Sequence, residues 1–271
     1  MSIIYKCMRL YKSLCTINLW KTIYLNFRIF PIKIAVKFPL KINRHVEFVG
    51  VRKNCIQFHA DSKIQRFMID IGDMPYPLCS KKGMYTYFRF SPEGKILLGE
   101  NVTIRNGANV IVGRKGCISI GNDVFINYKS LIYSNMSVII DNNVNISWNV
   151  QIMDSDHHFV YNETDKSIKY FSAPIVIGYN SWIGNNSIVC KGSKIPPQSI
   201  LACGSLLNKD FSKVLSRGNL FIGRPAQLKQ TGLYRIFNEK FQEELVKRFE
   251  KNDYKTLFID DVNIEYLQTK I

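Results

Sequence analysis

The stretch MDSDHHFVYN, residues 153–162, places His157 and His158 directly after Asp154 and Asp156, in a chain with four histidines in all. Imidazole titrates near neutral pH, which suits a group that must take up and release a proton in general acid–base catalysis. A neighbouring carboxylate can orient the ring and stabilise its protonated form. The residue types of the cluster therefore suit acid–base chemistry, and the surrounding sequence pattern decides how the cluster is interpreted. The competing interpretation is a buried histidine that a backbone carbonyl satisfies.

The cluster interrupts an internal repeat in which an aliphatic residue recurs at every sixth position. Neither the period of a helix nor that of a flat strand gives this spacing. A coil with three flat sides does, because the recurring aliphatic residue points inward and stacks on those of the coils above and below. The chain is therefore predicted to be mainly β and to form a parallel β-helix. The recurring residues fall in four runs, separated by two slips of phase and then by an interruption: Leu98, Ile104 and Val110; Ile120, Ile126 and Ile132; Ile140, Ile146 and Ile152; and Ile177, Ile183, Val189, Ile195, Leu201 and Leu207.

The break in the repeat at residues 153–174 is expected to be a loop on one face of the solenoid, where insertions often carry a binding site. The predicted parts of the chain are a basic amphipathic N-terminal segment (1–44), a β-rich region or first coils (45–97), the β-helix with its loop (98–230), and a C-terminal helix with a tail (231–271).

Two amphipathic helices are predicted outside the repeat. Apolar residues at steps of three and four predict a helix over residues 8–28, which Pro31 should end. A second helix is predicted over residues 231–252, where apolar residues recur at every fourth position. The acidic residues that follow it are expected to form the tail.

The chain is strongly basic, with 37 Lys and Arg against 21 Asp and Glu and a net charge of +16. Nine basic residues precede the first acidic residue, Glu47. Such a segment favours an anionic partner. For residues 1–44 two interpretations stay open: a helix that packs in an oligomer, or a helix on an anionic membrane with Trp20 and Tyr24 at the interface. No nucleic-acid-binding module is recognisable, so nucleic acid is not a predicted partner.

Seven cysteines form no C-x-x-C pair, which argues against a disulfide framework or a zinc cluster. The chain also lacks an uninterrupted apolar run long enough to span a bilayer, and Lys6, Arg9 and Lys12 interrupt the start where a signal peptide would need an apolar stretch. The expected location is therefore the cytoplasm, with the inner face of the membrane as an alternative.

Five stretches together resemble the hexapeptide-repeat acyltransferases, in particular the sugar and capsular-polysaccharide O-acetyltransferase branch. They are IGNDVFINYKSLI (120–132), NISWNVQIMDSDHH (145–158), APIVIGYNSWIGNNSIVCKG (173–192), SILACGSLLNKDF (199–211) and IGRPAQL (222–228). The resemblance covers about residues 95–230. It implies a left-handed β-helix, acetyl-CoA as the acyl donor, no metal, and a homotrimer with active sites between neighbouring subunits.

The resemblance also implies roles for individual residues. A loop histidine acts as general base: an ungapped match to the galactoside enzymes selects His157, and the capsule-enzyme pattern Asp-x-Asp-x-His selects His158, which we prefer. Asp154 or Asp156 would orient the imidazole. Asn127 occupies the place of an asparagine that contacts the acceptor, although a structural asparagine at a corner of the coil would fit equally well.

The positions that match the family's CoA groove are Trp182, Asn185, Cys203, Gly204, Ser205, Asn208 and Lys209. Small residues there would let a pantetheine arm lie along the coils, and Lys209 could meet a phosphate as a point charge. Trp182 fits a packing role on a flat side as well. Two departures concern the groove: FSKVLSRG stands where the family has Ile-Pro-Pro, and Cys203 replaces a small Ala or Ser.

The predicted function is transfer of acetyl from acetyl-CoA to a hydroxyl of a sugar or surface-polysaccharide precursor, such as a capsule or lipopolysaccharide precursor. The transfer would be direct, in a ternary complex. Alternatives are N-acetylation of an amino-sugar nucleotide, acetylation of a small molecule, or a non-catalytic β-helix that acts as a scaffold or glycan-binding module. A carbonic anhydrase of this fold would need three histidines on zinc, whereas His45 and His59 lie in the N-terminal region, so no zinc site is predicted.

Overall fold

The computed structural model describes residues 16–73, 84–252, 256–259 and 262–269. In that part, the strands coil into a parallel β-helix whose successive sides form three sheets. Part of the predicted helix over residues 8–28 lies outside the described residues, and so do Cys7, Cys15 and Cys79.

Each sheet is one face of the coil. The first face consists of β1 (Leu40–Ile42), β4 (Ile69–Asp73), β7 (Val102–Arg105), β10 (Phe125–Ile126), β13 (Asn145–Ile146), β18 (Trp182–Ile183), β21 (Ser199–Leu201), β23 (Asn219–Gly223) and β24 (Ala226–Gln230). The second face consists of β2 (Val46–Val49), β5 (Thr86–Phe90), β8 (Asn109–Val112), β11 (Leu131–Ser134), β14 (Gln151–Met153), β19 (Ile188–Cys190) and β22 (Leu206–Leu207). The third face consists of β3 (Ile56–Phe58), β6 (Lys95–Leu98), β9 (Cys117–Ile120), β12 (Ser137–Ile140), β17 (Ile175–Ile177) and β20 (Lys194–Ile195).

The recurring aliphatic residues form the core, as predicted. All of them are buried, and those on one face pair in register from coil to coil, as Ile104, Ile126, Ile146 and Ile183 do. The apolar stack is therefore continuous along the coil, and each coil depends on its neighbours to bury its inward side chains.

The many asparagines in the sequence are explained by the bends between the faces, where the backbone adopts positive φ. We call the bend between the first and second faces the first corner, and the bend between the second and third faces the second corner. At the first corner Lys129, Asn149, Asn186 and Gly204 all have positive φ, between 57° and 69°. Asparagine tolerates this left-handed conformation better than most residues, which explains its use where successive coils must turn.

The coils begin earlier than the repeat indicates. Residues 45–97, expected to be a β-rich region or first coils, contain β2 to β6, which pair in parallel with the coils that follow. Aromatic residues take the inward place there instead of aliphatic ones, as Phe88 does where it pairs in register with Val110.

Two helical segments cover the N-terminal end of the β-helix: α1 (Leu19–Ile29) and the single turn α2 (Ile32–Ala35). The predicted end near Pro31 is confirmed. The predicted helix is interrupted at residues 17 and 18, where Ile17 forms an isolated bridge with Asn43 and Asn18 caps α1 by accepting a hydrogen bond from the Lys21 backbone. The predicted start at residue 8 lies outside the described residues. No helix among the described residues is long and apolar enough to cross a membrane.

The C-terminal prediction needs two corrections, one to the start of the helix and one to the tail. The helix α3 (Glu239–Asn252) begins eight residues later than the predicted start at 231, because the Asn238 side chain accepts from the Phe241 backbone and caps it there. The expected tail contains the short helix α4 (Ile264–Gln268), whose Leu267 carbonyl accepts from the Phe237 backbone. Residues 231–238 therefore form an extended strap.

Candidate functional site

The histidine cluster lies in a loop that leaves the coil at the second corner. The outer part of the loop is an antiparallel hairpin of β15 (Val160–Asn162) and β16 (Ser167–Lys169). Its base is closed by backbone hydrogen bonds from Asp156 to the Phe171 carbonyl at 2.9 Å and from Ala173 to the Asp154 carbonyl at 3.0 Å. The loop therefore carries the two histidines on a closed, hydrogen-bonded base.

Asp154 is fully buried and stabilises the corner of the preceding coil. Its carboxylate accepts hydrogen bonds from the Ser134 hydroxyl at 2.9 Å and from the backbone N–H groups of Asn135, Met136 and Ser137 at 2.7, 2.8 and 2.7 Å. Four donors converge on two oxygens, which compensates the cost of burying the charge. This is a corner-stabilising role, different from the predicted orientation of an imidazole.

Asp156 is half-exposed and forms an ion pair with Lys191, with 2.6 Å between the carboxylate and the ammonium. Lys191 stands one coil further along, directly after Cys190, which pairs in register with Met153. Burial raises the pKa of the Cys190 thiol, and the nearby Asp156 charge raises it further. The sequence predicted Asp156 as a site residue but did not predict its ion-pair partner, Lys191.

Both histidines are exposed. His157 has a φ of 64°, and its ring packs edge-on against Tyr133, with 4.6 Å between the ring centroids. Burial raises the pKa of the Tyr133 hydroxyl, and the Asp154 charge adds to the effect. Across the described part of the chain, neither imidazole forms a hydrogen bond with a carboxylate. The structure thus brings an aromatic ring, rather than an acid, against His157.

Asn127 lies at the first corner, at the opposite end of the second face from the histidine loop. Its backbone N–H donates to the Ile146 carbonyl at 2.9 Å, and its side-chain oxygen accepts from the Tyr128 backbone at 2.9 Å. The four residues of β11 (Leu131–Ser134) that separate the two corners span about 10 Å. Within one chain, the predicted acceptor contact and the predicted base are therefore not brought together.

The residues predicted to bind CoA, apart from Trp182, lie at these same two corners. Asn185, Cys203 and Gly204 stack at the first corner, where the Gly204 N–H donates to the Asn185 carbonyl at 2.8 Å. Ser205 is buried beside them and accepts from the Gly223 backbone. Asn208 and Lys209 lie at the second corner and are exposed.

Trp182 projects from the first face and is covered by the C-terminal strap. Its indole N–H donates to the Ser147 hydroxyl at 2.8 Å, and the guanidinium of Arg235 lies 5.0 Å from its ring centroid. Arg235 also stacks on Phe237 at 4.8 Å and donates to the side-chain oxygen of Asn145 at 2.6 and 2.9 Å, with that amide turned toward it. Desolvation lowers the pKa of Arg235 to about 10. Sequence reasoning missed this residue because it lies outside the repeat.

The two remaining histidines have structural environments. An imidazole nitrogen of His59 lies 3.2 Å from the Ile120 carbonyl, and the ring of His45 packs against Tyr85. Among the described residues, no three His, Cys, Asp or Glu side chains gather as a metal site would require.

Comparisons with known proteins point to one fold. The chain is 32% identical to galactoside O-acetyltransferase from Escherichia coli over 114 residues, which are 42% of this chain and 55% of that protein. It is 27% identical over 114 residues to galactoside O-acetyltransferase from Lactococcus lactis, across 42% of this chain and 54% of that protein. The solved structure of the polySia-specific acetyltransferase NeuO matches with a TM-score of 0.54 and 14% identity, over 82% of this chain and 84% of that one. No protein-family profile matches the chain.

These similarities confirm the predicted resemblance to hexapeptide-repeat acyltransferases and, together with the three-faced coil, the left-handed β-helix fold. The chain spans about half the length of the curated relatives that it matches.

Proposed function

We propose that the protein is an acetyl-CoA-dependent O-acetyltransferase that acts on a hydroxyl of a sugar or surface-polysaccharide precursor. The observation that carries the proposal is the exposed pair His157 and His158 on a loop of this particular coil. The pair is open to an acceptor on this loop. His59 is half-buried with a ring nitrogen 3.2 Å from the Ile120 carbonyl, and His45, although exposed, lies in the first coils, away from the loop. The similarity to two galactoside O-acetyltransferases supports a carbohydrate acceptor.

The chemistry follows from the side chains. His158, or His157, takes the proton of the acceptor hydroxyl while the oxygen attacks the thioester carbonyl carbon. A backbone N–H steadies the negative charge that forms on the carbonyl oxygen. The carbon–sulfur bond then breaks, the imidazolium returns the proton to the CoA sulfur, and the acetyl ester leaves with the acceptor. Asn127 would help to hold the acceptor. Asp156 would orient the base only by turning from Lys191, its partner in this structure, toward the imidazole.

We propose a homotrimer for this reaction. Asn127 and the histidine loop lie at different corners of one chain, and a cyclic trimer can place the second corner of one subunit against the first corner of the next. The active site would then contain the histidines of one subunit and Asn127, Asn185 and Cys203 of its neighbour.

The surface at the first corner fits an extended acyl donor. A side-chain carbon added at Gly204 would meet nothing within 4 Å, so the corner above it is open. A pantetheine arm could lie there, beside Asn185 and the exposed Cys203. The exposed Lys209, at the second corner, is available for a phosphate of the donor.

The N-acetyltransferase and scaffold alternatives predict different outcomes in one assay. Free thiol release from acetyl-CoA is measured with panels of sugars, amino-sugar nucleotides and oligosaccharides, for wild type, His157→Ala and His158→Ala. Release that depends on a sugar hydroxyl and is lost in one histidine variant, with CoA binding intact by calorimetry, supports the proposal and identifies the base. Release with amino-sugars alone favours N-acetylation. No CoA binding and no release with any acceptor would overturn the proposal in favour of a scaffold or glycan-binding module.

The cytoplasmic location stays a prediction. The predicted contact of residues 1–44 with an anionic membrane is a separate proposal, because it depends on the outer face of α1 and not on the loop.

A further inference from the structure

The helix α1 (Leu19–Ile29) has two apolar faces, and its own chain uses one of them. Its inner face packs on the end of the β-helix through Leu25 and Ile29, which are 3% and 0% exposed. On the same face Asn26 donates to the Leu40 carbonyl at 2.9 Å and accepts from its N–H at 3.1 Å, and Thr22 bonds to Ile42. These side chains satisfy the free edge of β1, so α1 is the cap that a solenoid end requires.

The outer face of α1 continues into α2 and stays exposed. We call it the outer apolar face; its members are Leu19 (60% exposed), Trp20 (83%), Ile23 (43%), Tyr24 (61%), Phe27 (45%), Ile32 (74%) and Val36 (55%). Single exposed apolar residues are ordinary on a protein surface, but a contiguous group of this size marks an interaction site. Its occupant must accept an indole and a phenol at the rim and aliphatic side chains beside them.

The charges around this face identify the occupant. Three exposed cations lie on or directly beyond these helices: Arg28 on α1, Lys33 on α2 and Lys37 two residues after α2. The first acidic residue of the whole chain is Glu47. A protein partner with an apolar groove would explain the apolar residues but would not need this one-sided charge. An anionic lipid surface explains both features, since lipid headgroups attract the cations while the acyl region accepts the apolar side chains.

We propose that the outer apolar face binds the surface of an anionic lipid bilayer, with α1 parallel to the membrane plane. The inner face is held by the β-helix, so the opposite side of α1 is the one that enters the lipid. Trp20 and Tyr24 then lie at the depth of the headgroups, where amphipathic aromatic rings are favoured. The N-terminal end of the β-helix faces the bilayer.

The proposed trimer would strengthen this contact, although the contact does not require it. In a cyclic oligomer all subunits present the same end to the same side of the molecule, so three copies of the outer apolar face would meet one membrane. Binding of the second and third copies would then be intramolecular, which raises the overall affinity without any new contact.

Flotation of the full chain with vesicles tests the proposal. The vesicles contain either phosphatidylcholine alone or phosphatidylcholine with about one third anionic phosphatidylglycerol. Wild type is expected to float with the anionic vesicles, and Trp20→Glu to lose about tenfold or more of its partitioning, because the variant removes the most exposed large side chain of the face. Leu215→Glu is the matched control: Leu215 is 93% exposed, lies outside α1, and the substitution changes the net charge by the same amount.

Brominated lipids locate the contact. Tryptophan fluorescence of wild type is expected to be quenched by lipids brominated in the acyl chain, Trp20→Phe to lose most of that quenching, and Trp148→Phe to keep it, since Trp148 lies at the first corner of the coil. Failure of wild type to float, equal flotation of wild type and Trp20→Glu, or quenching that survives in Trp20→Phe would each overturn the proposal. A fall in the molecular mass of Trp20→Glu by light scattering would overturn it in favour of a second copy of the chain.

A separate assay tests the acetyl-transfer proposal. Thiol release with a soluble acceptor and no vesicles is expected to be the same for wild type and Trp20→Glu, because Trp20 lies at the end of the coil, away from both corners. Circular dichroism of the variants verifies that α1 is retained.

Discussion

The carboxylate of Asp156 lies 2.6 Å from the ammonium of Lys191, so the acid next to the two histidines already has a cationic partner from the following coil. The pair is not deeply buried, since the side chains are 53% and 27% exposed. It therefore contributes little to the free energy of unfolding, and its importance is local. It ties the base of the histidine loop to the coil and places a negative charge beside the Cys190 thiol.

Asp156→Asn is expected to lower the pKa of the Cys190 thiol. A carboxylate nearby disfavours the thiolate, so the thiol of wild type ionises at a higher pH than it would without Asp156, and burial accounts for the rest of the shift. Loss of the charge moves the midpoint of ionisation toward lower pH. The measurement is the rate of Cys190 alkylation against pH, resolved from that of the other cysteines by mass spectrometry. An unchanged midpoint would mean that burial alone sets the pKa.

Asp154→Asn is expected to lower the free energy of unfolding by about 2–4 kcal/mol, because the buried amide cannot accept from all four donors at the corner and its own NH2 group has no acceptor there. Urea denaturation of the full chain measures the change. The control is Asp141→Asn at a partly exposed corner, where the carboxylate accepts from the Asn142 backbone and a change below about 1 kcal/mol is expected. Equal effects of the two substitutions would contradict a corner-stabilising role for Asp154.

The core of the β-helix was predictable because each coil repeats one simple constraint: an inward side chain must match the one above and below it. Ile126 and Ile146 hold the same place in successive runs of the repeat and pair directly in the structure. The first coils were less visible, because Phe88 and Phe90 fill the same interior with larger side chains and without the six-residue phase. Each coil needs its interior volume filled, and several combinations of side chains can fill it.

The candidate site was predictable in its residue types but not in its partners. His157, His158 and Asp156 stand out in the sequence, whereas Lys191 reaches Asp156 through the register of β14 and β19. Asp154 illustrates the limit, since a buried carboxylate that accepts four hydrogen bonds looks the same in a sequence as an acid that orients a base. Arg235 is the strongest case: the segment that carries it reads as helix, and tertiary contacts to Trp182 and Asn145 hold it as a strap.

Arg235→Ala is expected to release the strap of residues 231–238 from the first face. The substitution removes two hydrogen bonds to Asn145 and the stacking on Trp182 and Phe237, together worth about 2–3 kcal/mol. Limited proteolysis should then cut the C-terminal segment about tenfold faster or more, because local opening controls cleavage. Arg224→Ala, at an exposed position, is the control and should leave the cleavage rate unchanged. A strap equally resistant in both variants would show that α4, through Leu267 and Phe237, is sufficient to hold it.

Mixing two inactive variants tests whether the proposed active site is shared between subunits. Asn127→Ala retains the histidines and His158→Ala retains the asparagine, so each homotrimer lacks one half of every site. If the site combines the loop of one subunit with the first corner of its neighbour, a mixed trimer contains one intact site. Random reassembly of equal amounts should then restore about a quarter of the wild-type thiol release.

The matched control mixes Asn127→Ala with a double variant that carries Asn127→Ala and His158→Ala, which no arrangement of subunits can complement. Where His157 proves to be the base, the same design uses His157→Ala. Recovered activity in the first mixture alone establishes a site shared between subunits, and light scattering of the active species gives the number of subunits. Two separately active variants, or inactive variants that never complement after verified exchange of subunits, would place the whole reaction within one chain. That outcome would require the loop to move across the second face to reach Asn127.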